Sequence, residues 1–161
     1  MRDVFCVRSR SLRYNQNTRW ERDVSRLING TNPGVERNQL RRTIAEALRR
    51  LMRKQKIDEE SKDLVALIVY SLRGIAEGVD QSARAWEKRD YFVKADKFRM
   101  EWAWAEQFAN KLEVILRGEL WNELPMALAE LAPKFSGITI TKFVRSEAMW
   151  KGRHKQLMSE Q

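Results

Sequence analysis

From Tyr91 onward, apolar residues recur at spacings of three and four through Ala95, Phe98, Trp102, Ala105, Ala109, Leu112 and Leu116, and Gly118 stands just past the last. A half-buried strand would alternate, whereas this seam keeps to one side of a helix over almost four heptads. So long an amphipathic helix needs an apolar partner, and the run Leu64 to Val69, continued by Leu72, Ile75 and Ala76, supplies one. That run is apolar almost all round, which predicts the centre of a helical bundle, and its continuation at helical period argues against a buried strand. Asp58, Glu59 and Glu60 precede it, where negative charge complements a helix N-terminus. Gly74 and Gly78 either let a neighbouring helix come close or mark the end of this one. Val79, Ala83 and Trp86 keep the helical register, but the seam slips between Trp86 and Tyr91, which predicts a bend at Lys88 to Asp90.

The remaining punctuation is also helical. Thr18 with Glu21 makes a capping box, Trp20, Val24, Leu27 and Ile28 form a stripe, and Gly30 sits at the C-terminal cap. The turn GTNPG, Gly30 to Gly34, then leads into a second helix ending near Lys56. A short helix is expected over Asn122 to Ala132, with Asn122 as cap, Pro125 in the first turn and Pro133 closing it. Ile138 to Thr141 alternates, yet Ile140, Phe143, Trp150, His154 and Leu157 recur at helical multiples, so a last helix is expected from Thr139 or Thr141. The fold expectation is all-α: a single bundle of five to seven helices over residues 17–161, preceded by a basic arm over 1–16, where Arg8, Arg10 and Arg13 alternate with Ser9, Ser11 and Leu12. No internal repeat and no low-complexity stretch suggests a solenoid or a disordered tail.

Charge directs the functional reading. Between Arg37 and Lys56 there are eight basic residues and one acid, Glu46, a net of +7 over twenty positions. At about 100° per residue, Leu40, Ile44, Leu48 and Leu51 share one flank, while Arg42, Arg49, Arg53 and Lys56 gather within roughly 60° on the other. A solvated face normally mixes signs; one that keeps a single sign against self-repulsion suits a polyanion. The whole chain, with 31 Lys and Arg against 22 Asp and Glu, carries +9, which favours nucleic acid or an acidic surface as partner. Candidate nucleic-acid contacts are therefore Arg42, Arg49, Arg50, Arg53 and Lys56, with Lys88 and Arg89 at the bend and Arg145, Lys151 and Arg153 on the last helix. Phe98 and Trp102 lie on the seam and are expected in the core. Trp104 lies off it and is the candidate protein-interface residue.

Chemistry is not signalled. Neither a P-loop nor a GxGxxG is present, and GTNPG lacks the lysine that would cradle phosphate. Cys6 and His154, one of each in the chain, make neither a zinc set nor a plausible thiol-base pair. The carboxylates Asp58, Glu59 and Glu60, then Glu77 and Asp80, then Asp90 and Asp96, are explained by a helix start and by surface pairing with nearby bases better than by a metal-dependent nuclease. No cofactor, no metal and no enzymatic activity are expected. With one cysteine, no apolar run of signal-peptide length and no stretch near the ~18 apolar residues of a membrane span, a cytoplasmic protein without a membrane partner is expected.

The segments QLRRTIAEALRRLM (Gln39 to Met52) and DLVALIVYSLRGIAEG (Asp63 to Gly78), within a small basic helical chain, resemble the small subunits of CRISPR effector complexes, over roughly Gln39 to Leu116. The resemblance implies a non-catalytic subunit of a ribonucleoprotein, stacked on other subunits or on copies of itself, whose basic surface steers a target or displaced strand. Arg42, Arg49, Arg53 and Lys56 would then face nucleic acid, while guide pairing supplies sequence choice. The competing expectation is a helical adaptor docking on an acidic protein surface, with charge setting rate and orientation.

Overall fold

The computed structural model describes residues 32–160. The expected arm, the first helix from Asn17 to Gly30, the boundary between them and Cys6 lie outside the described residues. Those residues contain five α-helices and no strand: α1 (Pro33–Met52), α2 (Glu59–Glu87), α3 (Phe92–Arg117), α4 (Leu124–Leu131) and α5 (Arg153–Ser159), with 3-10 turns at Ala132–Phe135 and Glu147–Met149. They form one unit beginning at Asn32, and the all-α bundle expected from the seam and the apolar run is what the chain builds.

Helix α1 starts where its sequence allows. The Asn32 side chain accepts from the Gly34 N–H at 3.0 Å, and Pro33 occupies the first turn, where a missing N–H costs nothing. It stops at Met52, one turn short of Lys56, because Lys54 turns to Asp58 and Glu60, 2.7 and 2.5 Å away, across the loop into α2. Asp58 caps α2 by accepting from Ser61 N–H at 2.7 Å. The Lys54 ammonium and this capping bond hold the Asp58 carboxyl well below its ordinary pKa.

Helix α2 is the centre. Leu64, Val65, Ala66, Ile68, Val69, Leu72 and Ile75 are wholly buried, because α1, α3 and α5 all pack on it. Each such aliphatic side chain removed from water contributes about 1.5–3 kcal/mol, which is why a helix apolar all round must sit inside. Gly74 does not end it. A Cβ there would stand 3.0 Å from Leu40 Cδ1, so the residue is the close approach of α1 to α2. The bend forms at 88–90 as expected, with Asp90 in the left-handed region at φ 63. Helix α3 then runs antiparallel beside α2, its Ala95, Ala105, Ala109, Leu112 and Leu116 fully buried along the predicted seam. Arg99 ties the two helices near the bend, its guanidinium bonded to Asp80 and Glu87.

The C-terminal quarter departs from expectation. Asn122 caps nothing: α4 begins after Glu123 with no side-chain cap. Pro133 lies inside the 3-10 turn that prolongs α4 rather than closing the segment. No helix starts at Thr139 or Thr141. Residues 138–146 run as an irregular strap across α1, and only Arg153–Ser159 is helical. Side chains of α1 bond five of the strap's backbone groups, the carbonyls of Ile138, Ile140 and Arg145 and the N–H groups of Val144 and Arg145, in place of helix or sheet partners.

Candidate nucleic-acid interface

The arginine face of α1 looks outward only in part: Arg42, Arg53 and Lys56 are exposed, while Arg49 is half-buried. Arg49 sets its guanidinium fork on two strap carbonyls, Nη1 on Ile140 O and Nη2 on Ile138 O, each at 2.9 Å. Arg50 donates to Arg145 O at 3.1 Å and to Glu46 at 3.2 Å, with its plane 4.4 Å from the Phe143 ring centroid and 4.7 Å from that of Trp150. Arg53 is exposed but covers Phe143 at 4.5 Å, so two guanidiniums hold one phenyl ring. Arg145 reaches back from the strap to Thr43 Oγ1, Glu46 and Gln39 O at 3.0–3.2 Å.

Glu46, the one acid of the arginine-rich stretch, is the hub. It is 1% exposed and accepts from the Val144 and Arg145 N–H groups at 3.2 and 3.0 Å, as well as from Arg50 and Arg145. Burial by itself would raise its pKa. The two backbone N–H groups and the two guanidiniums outweigh burial and hold the carboxyl below its usual range. The cations that flank this carboxylate in sequence are thus its ligands and the strap's.

The rest of the face divides. Arg37 and Arg41 lean over aromatic rings of α3, Arg37 at 5.0 Å from Phe98 and 5.4 Å from Trp102, and Arg41 at 5.8 Å from Trp102. Burial, with the neighbouring Arg41 charge, pushes the Arg37 pKa down. Of the α1 candidates, Arg42, Arg53 and Lys56 are exposed and without an ion pair among the described residues, Arg53 lying over the Phe143 ring. The expectation of a continuous outward ridge from Arg42 to Lys56 is corrected: Arg49 and Arg50 are half-buried under the strap, a layer that helical periodicity cannot announce. The second basic surface is similarly diminished. Arg145 is internal, Arg153 lies 5.5 Å over the Tyr70 ring and donates to Met149 O, and Lys151 faces Glu147 at 3.4 Å in an exposed pair.

Trp104 also turns inward. It is half-buried, edge-on to Phe135 at 5.8 Å, beside Trp102 at 5.7 Å, with Lys134 over it. Its displacement from the heptad seam serves contact with the 3-10 turn after α4, so it is not offered as an interface residue.

The bend between α2 and α3 behaves otherwise. Lys88 and Arg89 are fully at the surface, and Lys94 and Lys97 join them from the first turns of α3; none has an ion pair among the described residues. Tyr91, Phe92 and Val93 are 58%, 56% and 69% exposed. A shallow depression of about 690 Å³ is lined by Trp86, Tyr91, Phe92, Lys94, Lys97 and Phe98, with Asp90 and Glu101 as its acids. Trp86 and Phe98 form its floor, edge to face at 5.0 Å, and Lys94 Nζ stands 4.3 Å over Trp86. Sequence reading found Lys88 and Arg89 but not Tyr91, Phe92, Lys94 and Lys97. A usable signal existed: successive residues on a helix differ by about 100°, so the three apolar residues Tyr91 to Val93 cannot all face one core.

Among the described residues no group of His, Cys, Asp and Glu is placed to hold a metal ion. The carboxylate clusters weighed for that role are largely engaged elsewhere: Glu59 with Lys62, Glu60 with Lys54, and Asp80 with Arg84 and Arg99. No helix among the described residues is long and apolar enough to cross a membrane. The chain matches no protein-family model, no curated protein and no solved structure.

Proposed function

We propose that this protein is a non-catalytic, nucleic-acid-binding small subunit of a ribonucleoprotein complex, of the kind its resemblance to CRISPR effector small subunits implies. It contacts sugar-phosphate backbone without reading sequence. The observation that carries this reading is the group of four cations at the α2–α3 bend, Lys88, Arg89, Lys94 and Lys97, exposed and unneutralised on a chain of net charge +9. Arg42 and Lys56 extend the set on α1. Arg49, Arg50 and Arg145 are removed from it, because their donors already serve the strap. Point charges at this spacing attract phosphates by counterion release, which is blind to base identity. Sequence choice then belongs to a guide or partner subunit.

The test is fluorescence anisotropy with labelled oligonucleotides of unrelated sequence at 50 and 200 mM salt. Four phosphate contacts on a single strand predict roughly a 50-fold loss of affinity over that salt range. Replacing Lys88, Arg89, Lys94 and Lys97 together by Glu is expected to abolish binding to all sequences alike. Retained affinity in that folded variant rejects the surface.

A second reading, the helical adaptor, is favoured by a different observation. Exposed Met52 and Ile57 border an apolar groove of about 360 Å³ between the end of α1 and α4, lined also by Leu48, Leu51 and Leu128. An adaptor would show no shift that grows with polyanion length, and its partner affinity would fall on replacing Met52 and Ile57 by Asp.

A further inference from the structure

The bend carries more than charge. Tyr91, Phe92 and Val93 expose a contiguous apolar run, and contiguous apolar surface of this kind marks sites of interaction. The rings are ringed by cations: Lys88 and Arg89 precede them, Lys94 and Lys97 follow, and Lys94 already sits over the indole of Trp86. The neighbourhood also holds five acids, three of them beside one arginine of the same chain. Glu87 and Asp80 bind Arg99, Asp96 is 3.9 Å from the same guanidinium, and only Asp90 and Glu101 line the depression. A partner that offers flat π faces and negative charge at short, regular intervals matches this combination. A duplex offers the charge but keeps its bases stacked inside, whereas an unpaired strand offers both.

Resting on the proposed function, we propose that the α2–α3 bend binds an unpaired strand of nucleic acid, its bases stacking on Tyr91 and Phe92 while Lys88, Arg89, Lys94 and Lys97 hold the flanking phosphates. The role of the aromatic pair is strand discrimination: it distinguishes an open strand from a closed duplex without distinguishing one base from another.

The experiment uses the full chain and three labelled probes of equal length, oligo(dT), oligo(rU) and a mixed-sequence DNA duplex, read by anisotropy at 100 mM salt. The variants are Tyr91→Ala with Phe92→Ala, and separately Lys88→Glu with Arg89→Glu. Both pairs are exposed, and unchanged thermal unfolding by circular dichroism verifies the fold. The aromatic variant is expected to weaken single-strand binding tenfold to hundredfold, roughly one or two lost stacks, while duplex affinity changes less than twofold. The charge variant is expected to weaken all three probes. Equal loss on strand and duplex in the aromatic variant, or no loss on either, overturns the stacking proposal while leaving backbone binding intact. Unchanged binding in the charge variant overturns the backbone reading of this surface. Failure of the native chain to bind any probe overturns both and favours a protein partner. Unequal loss on oligo(dT) and oligo(rU) would support stacking.

Discussion

Two regions of this molecule are rich in arginine and lysine and use them in opposite ways. On α1, between Arg37 and Lys56, six of the eight cations meet rings, carbonyls or carboxylates of their own chain, and Arg42 and Lys56 do not among the described residues. At the α2–α3 bend, fewer cations stand in water beside uncovered aromatics. The denser region is therefore the less available one. Local charge in a sequence measures how many donors a segment has, and the tertiary neighbours decide whether those donors are already committed.

The sharpest way to break this comparison is at Glu46. Glu46→Ala leaves two backbone N–H groups and two guanidiniums without their acceptor, an uncompensated buried cluster of the kind that costs about 3–5 kcal/mol. Chemical denaturation should show that loss, and limited proteolysis should open the strap near residues 138–146. The pH dependence follows from the same carboxyl. Its folded pKa lies below the unfolded value of about 4.3, so its stabilisation is complete above that value and disappears as pH falls through the lower folded one. Glu46→Gln should accordingly flatten the acid limb of the stability curve; an unaltered limb would assign acid sensitivity to Asp58 and other paired carboxylates instead.

A smaller effect separates the two regions directly. Arg49→Met removes a charged fork from two carbonyls and should cost about 2–3 kcal/mol, with oligonucleotide affinity changed less than about threefold. The bend charges should do the reverse, lowering affinity with little change in unfolding. If Arg49→Met instead abolished binding while the fold survived, α1 would be restored as the contact surface. The smallest expected effect is at Asp90, whose left-handed backbone at φ 63 suits glycine. Asp90→Gly should change stability by no more than about 1 kcal/mol and strengthen binding slightly, because it removes one of the two acids lining the depression.

How much of this was legible beforehand depended on the kind of contact. The seam from Ala95 to Leu116, the apolar run from Leu64 and the slip at Lys88 to Asp90 are periodic signals between elements adjacent in sequence, and they gave α2, α3 and the bend, although Tyr91, expected at the head of the seam, caps α3 and is exposed. The strap was not legible. Its apolar residues Ile140, Phe143 and Trp150 fall at helical multiples, but its backbone is bound by Arg49, Arg50 and Glu46, and nothing in the local sequence of 138–146 says so. The same contact hid the fate of the arginines, since a helix face opposite the core reads as solvent unless a second layer is known to cover it. Trp104 failed for the related reason that its partner, Phe135, belongs to that same distant quarter.

The clasp between Arg49 and the carbonyls of Ile138 and Ile140 joins positions 91 and 89 residues apart, whereas α1, α2 and α3 are consecutive hairpins. Closing so large a loop has an entropic cost that local hairpins avoid, so the clasp is a contact that the chain reaches far along its sequence to make. A chain lacking residues 138–146 would leave Arg49 and Arg50 without the carbonyls they hold here, so the charge that α1 presents depends on residues far along the sequence.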